Sequence, residues 1–187
     1  PIEICTYHDP ANTILKEIYY VDDSSTSRLT GSYRSYFISG NIEKEGFYKD
    51  NLPDSLWIYY YENGKIKMKG MLKGGASHGL WEYFYENGNL SKAGMVLDSK
   101  REGNWKYYFE NGTIKSQGDY KHNVKHGIWN YFYEEGEIKA QAFYQKGRGK
   151  YKEFYNSGAV KAEGLNLNGK SDSTWVFYYE NGNVRAR

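Results

Sequence analysis

One repeated interval governs this chain. Turn-type glycines stand at Gly40, Gly64, Gly88, Gly112, Gly136, Gly158 and Gly182, each 24 residues after the last except for one step of 22. Seven residues before each is an aromatic: Tyr33, Trp57, Trp81, Trp105, Trp129, Tyr151 and Trp175, which take in all five tryptophans. Two residues after each glycine comes Ile42, Ile66, Leu90, Ile114, Ile138, Val160 or Val184. Six after it comes Gly46, Gly70, Gly94, Gly118 or Gly164, with Ala142 the one substitution. Such a period marks a repeat architecture, in which each unit buries its apolar face only against its neighbours.

The interval is that of a β-hairpin. Asn-Gly between β-rich runs is the strongest short hairpin signal, because a two-residue type I′ turn needs positive φ twice. Asn63-Gly64 and Asn111-Gly112 fit it. With that turn Glu62 opposes Lys65, Tyr61 opposes Ile66, Tyr59 opposes Met68 and Trp57 opposes Gly70. Cross-strand partners share a face, so one face carries Trp57, Tyr59, Tyr61 and Ile66, and Gly70 leaves room for the indole to lie over the backbone. The same pairing sets Trp81 over Gly94, Trp105 over Gly118 and Tyr151 over Gly164. One pair further on, Gly103 faces Tyr120 and Gly127 faces Tyr144. A three-residue loop with a bulge is the competing turn; it would set Trp57 against Lys69.

Connections such as "KGGASHG" and "KHNVKHG" are short, polar and rich in glycine, and return the chain antiparallel. The 22-residue step falls in "QKGRG", where a connection has lost two residues. The expected fold is all-β: an elongated single-sheet repeat protein of about seven consecutive antiparallel hairpins over residues 31–187, the last incomplete. About fourteen strands at ~4.8 Å spacing give a ribbon roughly 65 Å long. Residues 1–30 read as a degenerate capping repeat, with Ile14 in the aliphatic position and "DDSSTSR" a flexible loop.

Composition agrees. The mean hydropathy of −0.86 suggests disorder, but 18% aromatic residues, 21 of them Tyr, argue against it. A net charge of +2 is too balanced for bulk nucleic-acid binding. Cys5 alone cannot make an internal disulfide framework. The start at Pro1 rather than Met implies that a preceding segment was removed. That leaves the bacterial cytoplasm or, after signal-peptide removal, the periplasm or cell surface as compartments.

The unit G-x-W-x-Y-[FY]-[FY]-E-N-G-x-[IL]-K-x-x-G resembles the MORN-repeat family, and more closely its bacterial variant, over residues 31–187. Longer members of that variant are often described as antitoxin components of toxin–antitoxin modules. The resemblance implies a row of hairpins in a grooved sheet, acting as a scaffold that binds proteins and in some members membrane lipids. The tryptophan-adjacent segment is more aromatic than the usual Tyr-x-Gly-x-Trp core, so no partner residues carry over.

The second face offers the candidate binding residues. Tyr60, Phe84, Tyr108, Phe132, Phe154 and Tyr178 form a column, expected to lie opposite Lys67, Ser91, Lys115, Lys139, Lys161 and Arg185. Either each cation covers its neighbouring ring, or the two columns form a strip for an acidic or aromatic partner or a glycan. His122 and His126 are four apart, but they sit in a connection with no acidic or Cys partner apparent, so a metal site is not expected. Ser91 and Ser116 read as interchangeable surface residues. Glu62, Glu86, Glu110, Glu134 and Glu180 read as turn residues, since catalysis needs a unique site. No cofactor motif appears. The expectation is a non-enzymatic protein-binding module, possible partners including a toxin, with a glycan or anionic lipid as alternatives. End-to-end self-association through edge strands is also open.

Overall fold

A computed structural model describes residues 1–23, 28–167, 170–172 and 174–187. Among these residues there are seventeen strands and no helix. The chain divides into two compact units, one of residues 1–90 and 96–99, the other of residues 91–95 and 100–187.

The first unit is a meander of β1 (Ile2–Tyr7), β2 (Leu15–Val21), β3 (Leu29–Tyr36), β4 (Ile42–Lys49), β5 (Leu52–Tyr60), β6 (Ile66–Lys73) and β7 (Ala76–Phe84). Each strand pairs antiparallel with the next. Residues of β8 (Leu90–Leu97) belong to both units. The second unit continues with β9 (Lys100–Tyr108), β10 (Ile114–Lys121), β11 (Val124–Phe132), β12 (Ile138–Gln145), β13 (Arg148–Phe154) and β14 (Val160–Leu167). Shorter strands follow: β15 (Lys170–Ser171), β16 (Val176–Tyr178) and β17 (Val184–Ala186). These too pair antiparallel, β14 with both β15 and β16. The hairpin meander expected from the interval is therefore the fold. Within "DDSSTSR", residues 24–27 lie outside the described residues.

The turn chemistry differs from the expectation, and the difference cancels. At "YENGK" the Gly64 N–H donates to the Tyr61 carbonyl at 2.9 Å and the Tyr61 N–H to the Lys65 carbonyl at 2.8 Å. Only Gly64, at φ +81, is left-handed there. This is the three-residue loop: a tight turn over Glu62 and Asn63 followed by a left-handed glycine. Lys65, not Ile66, therefore opposes Tyr61, and Ile66 pairs with Tyr60. A bulge at Lys67 then restores the register, so Tyr59 opposes Met68 and Trp57 opposes Gly70 as expected. The Asn63 Oδ1 accepts from the Lys65 N–H at 3.0 Å, which explains asparagine before the glycine.

Type I′ turns occur instead in the connections. Both central residues have positive φ at Asp50-Asn51, Gly74-Gly75, Asp98-Ser99, His122-Asn123 and Lys146-Gly147. The connection in "QKGRG" thus keeps its turn. What the short step has lost is a bulge two residues long. In β11 the pairing jumps from Gly118–Trp129 to Asp119–His126, leaving Gly127 and Ile128 extra on that side, whereas β12 and β13 pair without a shift from Ala140 to Gln145. The same bulge precedes Trp57 and Trp81 on their β4 and β6 sides. Its first residue is left-handed: Ser55 at φ 63, Gly79 at φ 76, Gly103 at φ 62, Gly127 at φ 66.

The tryptophans form the core of each unit: Trp57, Trp105 and Trp129 are at most 2% exposed and Trp81 is 5% exposed. Trp175 is half-buried. Each indole lies over a glycine, but over that of the preceding hairpin. A Cβ on Gly46 would come within 2.3 Å of the Trp57 ring, on Gly70 within 2.2 Å of Trp81, and on Gly94 within 2.3 Å of Trp105. On Gly118 it would meet Trp129 at 2.4 Å and on Gly164 Trp175 at 2.7 Å. The pairings of Trp57 with Gly70, Trp105 with Gly118 and Tyr151 with Gly164 exist as backbone partners, yet those glycines receive the next hairpin's indole. At three of these sites the carbonyl after the glycine accepts the indole N–H: Phe47 from Trp57 at 3.2 Å, Met95 from Trp105 at 2.9 Å, Asp119 from Trp129 at 2.9 Å; the buried Trp81 indole N–H has no such acceptor. Tyrosines pack edge-on around them, Tyr48 to Trp57 at 5.3 Å and Tyr120 to Trp129 at 5.0 Å between ring centres. Such pairs add ~0.5–1.5 kcal/mol each beyond burial.

Candidate interaction surfaces

The cation column is built by the bulge that follows the loop in these hairpins. Lys67, Lys115, Lys139, Lys161 and Arg185 are the residues skipped by the pairing. The rings Tyr60, Tyr108, Phe132, Phe154 and Tyr178 therefore face Ile66, Ile114, Ile138, Val160 and Val184, not the cations. A skipped residue swings toward the loop. Lys67 sits over Tyr61 at 5.7 Å, Lys115 over Phe109 at 5.4 Å and Lys139 over Tyr133 at 5.6 Å. Lys161 instead donates to Glu153 at 2.9 Å, and Arg185 is exposed.

The ring column is half-buried throughout, Phe84 included. Lys69 lies over Phe84 at 5.7 Å and pairs with Glu82 at 3.1 Å. Tyr60 donates to Glu45 at 2.6 Å and Tyr178 to Glu163 at 2.7 Å. Burial first, then the Glu45 hydrogen bond, pushes the Tyr60 hydroxyl up to about 12. Neighbouring repeats are also stapled near the loops: Tyr61 donates to the Phe84 carbonyl at 2.7 Å, Tyr133 to Phe154 at 3.2 Å and Tyr155 to Tyr178 at 2.8 Å.

A different row is open. On the face opposite the tryptophans of the first unit, Phe47, Leu56, Met71 and Leu80 are 43 to 50% exposed. Leu56 and Leu80 are the second residues of the bulges before Trp57 and Trp81, and Leu56 pairs directly with Met71. Bulges commonly re-aim a side chain in this way. Phe47 and Leu56 also line a groove of about 490 Å³ with Ile18, Tyr20, Ile58 and the Arg34–Glu45 ion pair. In the second unit the corresponding pair is Ile128 and Phe143, 62% and 57% exposed. Sequence reasoning missed this row. Its signal was an apolar residue directly before a repeat tryptophan or directly after the glycine six residues past the turn.

Two smaller readings change. His122 does have an acidic neighbour: its backbone N–H donates to Glu102 at 2.8 Å, and Nδ1 lies 3.5 Å from the same carboxylate. No group of three potential metal ligands occurs among the described residues. Ser116 is buried rather than on the surface, at 9% exposure.

This arrangement of aromatic hairpins in register defines a β-hairpin repeat protein. The chain belongs to the MORN-repeat family: the model described as MORN repeat variant matches residues 29–50, 53–73, 77–95, 101–122, 125–146 and 172–187. MORN repeats are in general protein- and lipid-interaction modules. Residues 147–171, where the bulge is lost and Tyr151 replaces tryptophan, lie outside the matches. No curated protein matches the chain. Among solved structures it is similar to an S. aureus TarM mutant in complex with fondaparinux, alpha-GlcNAc-glycerol and UDP, at 11% identity and TM-score 0.23, covering 85% of this chain and 21% of that one. It is also similar to the Photorhabdus luminescens Tc holotoxin pore, at 9% identity and TM-score 0.24, covering 97% of this chain and 14% of that one. The chain thus spans about a fifth and a seventh of those chains, and likenesses at these scores carry no functional argument.

Proposed function

We propose that this chain is a non-enzymatic module that binds a protein through the face opposite its tryptophans. The observation that carries this reading is the open row of Phe47, Leu56, Met71 and Leu80. Contiguous exposed apolar side chains on a protein surface mark contact sites far more often than scattered ones. Methionine and leucine adapt to a partner's shape, and the adjoining Arg34–Glu45 pair supplies a polar rim. The rings of Tyr60 and Phe84 are half-buried, which argues against flat open rings offered to a sugar.

A paired substitution tests this. Met71→Asp with Leu80→Asp is expected to abolish capture of the partner from the source cell while the melting temperature stays within a few degrees. Unchanged capture by the folded variant would end the reading. A cognate toxin is the narrower partner that the resemblance implies, tested by growth rescue on co-expression. Binding to a glycan array with no protein partner, or to anionic liposomes in a salt-sensitive way, would replace the protein reading with one of its alternatives.

A further inference from the structure

The open face of the first unit is complementary to itself. One row of side chains crosses it on five successive strands: Arg34 of β3 pairs with Glu45 of β4, Glu45 with Ile58 of β5, Ile58 with Lys69 of β6 and Lys69 with Glu82 of β7. From β3 to β7 the row is positive, negative, apolar, positive, negative, with Ile58 at its centre. Turned end for end, the same row presents negative, positive, apolar, negative, positive, so every charge meets its opposite. Neighbours within each half are already joined, Arg34 to Glu45 at 2.8 Å and Lys69 to Glu82 at 3.1 Å. All four side chains nevertheless stay 27 to 48% exposed, which leaves each of them room for a second partner.

The apolar row beside it has the same centre. Leu56 lies on β5, with Phe47 one strand away on β4 and Met71 one strand away on the other side, on β6. The groove of about 490 Å³ extends from Leu56 on β5, past Phe47 and Ser32, to Tyr20 on β2. It therefore occupies one side of β5, and Ser32 lies two strands out, on β3. Two strands out on the other side, Leu80 of β7 projects from its bulge at 50% exposure, with no strand partner on β6. A projection and a hollow thus stand at equal distances from the same central strand.

We propose that this face pairs with the same face of a second copy of the chain, sheet on sheet, about a two-fold axis lying along β5. The proposal rests on the reading that the open row is a contact surface, and it names the partner. A two-fold axis brings one patch of both chains together and makes every contact twice. Along β5 it sets Leu56 and Ile58 against their own copies and Phe47 against Met71 of the second copy. It lowers Leu80 of the second copy into the groove at Ser32. It also sets Arg34 against the second copy's Glu82, and Glu45 against its Lys69. Sheets packed face to face lie ~10 Å apart, a gap that arginine, lysine and glutamate side chains close by reaching from both sides. An apolar anchor seated in a hollow, with charged pairs around it, matches the anatomy of specific interfaces. An unrelated partner would require no such symmetry in either row.

Sedimentation equilibrium of the whole chain tests this. A reversible monomer–dimer equilibrium is expected, the dimer having twice the chain mass of 21.8 kDa. Arg34→Glu alone and Glu82→Lys alone should each weaken dimerisation roughly tenfold or more, because like charges then face each other at both ends of the interface. Mixing the two variants in equal amounts should restore wild-type association, since the two negative ends of one chain then meet the two positive ends of the other. Leu80→Ser, which changes no charge, should weaken dimerisation by a similar factor through the groove. Circular dichroism and melting temperature confirm that the variants fold. A wild-type chain still monomeric at about 0.1 mM overturns the proposal. Association that ignores both charge variants, as strand pairing at the sheet edges would, or that mixing fails to restore, overturns it too. A monomeric chain that captures another protein, and loses it with Met71→Asp and Leu80→Asp, removes the second copy as partner but keeps the protein-binding reading. A dimer that Arg34→Glu weakens and mixing restores upholds the proposal even where no other protein is captured.

Discussion

Glycine at the sixth position after the turn is a steric requirement set by one neighbour. Gly118 has no positive φ, and an added Cβ would lie 2.4 Å from the Trp129 ring. Gly118→Ala should therefore destabilise by about 1–3 kcal/mol through overpacking. Ala142 is the exception that identifies the neighbour. It pairs with Tyr151 on the following strand, where other repeats carry tryptophan. Ala142→Gly should change stability by no more than about 1 kcal/mol, and urea unfolding of the two variants compares them directly. Trp105→Ala removes a side chain 2% exposed and should destabilise by ~3–5 kcal/mol. Equal effects of the two glycine-site changes would refute the assignment. The sequence contained the clue, since the one alanine coincides with the following tyrosine, but the glycine spacing alone is equally consistent with either flanking strand.

Two kinds of bulge shape the hairpins, the second of them missing before Tyr151, and they do different work. The one beside the hairpin loop skips a lysine or arginine, or Glu43 between β3 and β4, and offsets the three-residue loop, which is why a wrong turn type still gave the right tryptophan register. The one before the tryptophan projects Leu56, Leu80 or Ile128, and before Trp57 and Trp129 it also frees a carbonyl for the indole. It needs a left-handed residue, and Gly103 at φ +62 has no atom within 4 Å of an added Cβ. Gly103→Val should then destabilise by about 1–2 kcal/mol from backbone strain alone. Gly103→Asn should do so by less, because asparagine tolerates that region; Ser55 already adopts it at φ 63. Chemical denaturation with matched slopes checks the pair. The bulges were illegible in the sequence because a skipped residue and a paired one have the same spacing. Only the 22-residue step, where two residues vanish without disturbing the turn, hinted that something other than a loop could be lost.

Across the whole molecule the buried tyrosines set the response to alkali. Burial is the main cause that pushes Tyr60 and Tyr151 up to about 12, and Tyr120 and Tyr131 move the same way. A folded value above the unfolded one gives stability that is complete below about pH 10 and is lost as pH rises through the folded values. Lys125 acts oppositely. Its folded value of about 8 lies below the ordinary lysine value of 10.5, so the unfolded chain holds more protons between them and stability rises with pH across that window. Urea midpoints should be level or slightly higher at about pH 9 than at about pH 7, then fall steeply above about pH 10. Lys125→Met should remove the rise and leave the fall. A midpoint unchanged at about pH 11 would show that the tyrosines are not protected by the fold.

The sequence by itself determined the hairpin, its interval, the backbone partners of Trp57, Trp105 and Tyr151, and the aromatic core, because local spacing fixes which residues come side by side. Tertiary structure alone decided which glycine each indole covers, where Lys67 and its equivalents point, and which apolar row stays open. Those outcomes depend on bulges that change the direction of a side chain without changing its place in the chain, and on a tryptophan having a small residue within reach on both flanking strands.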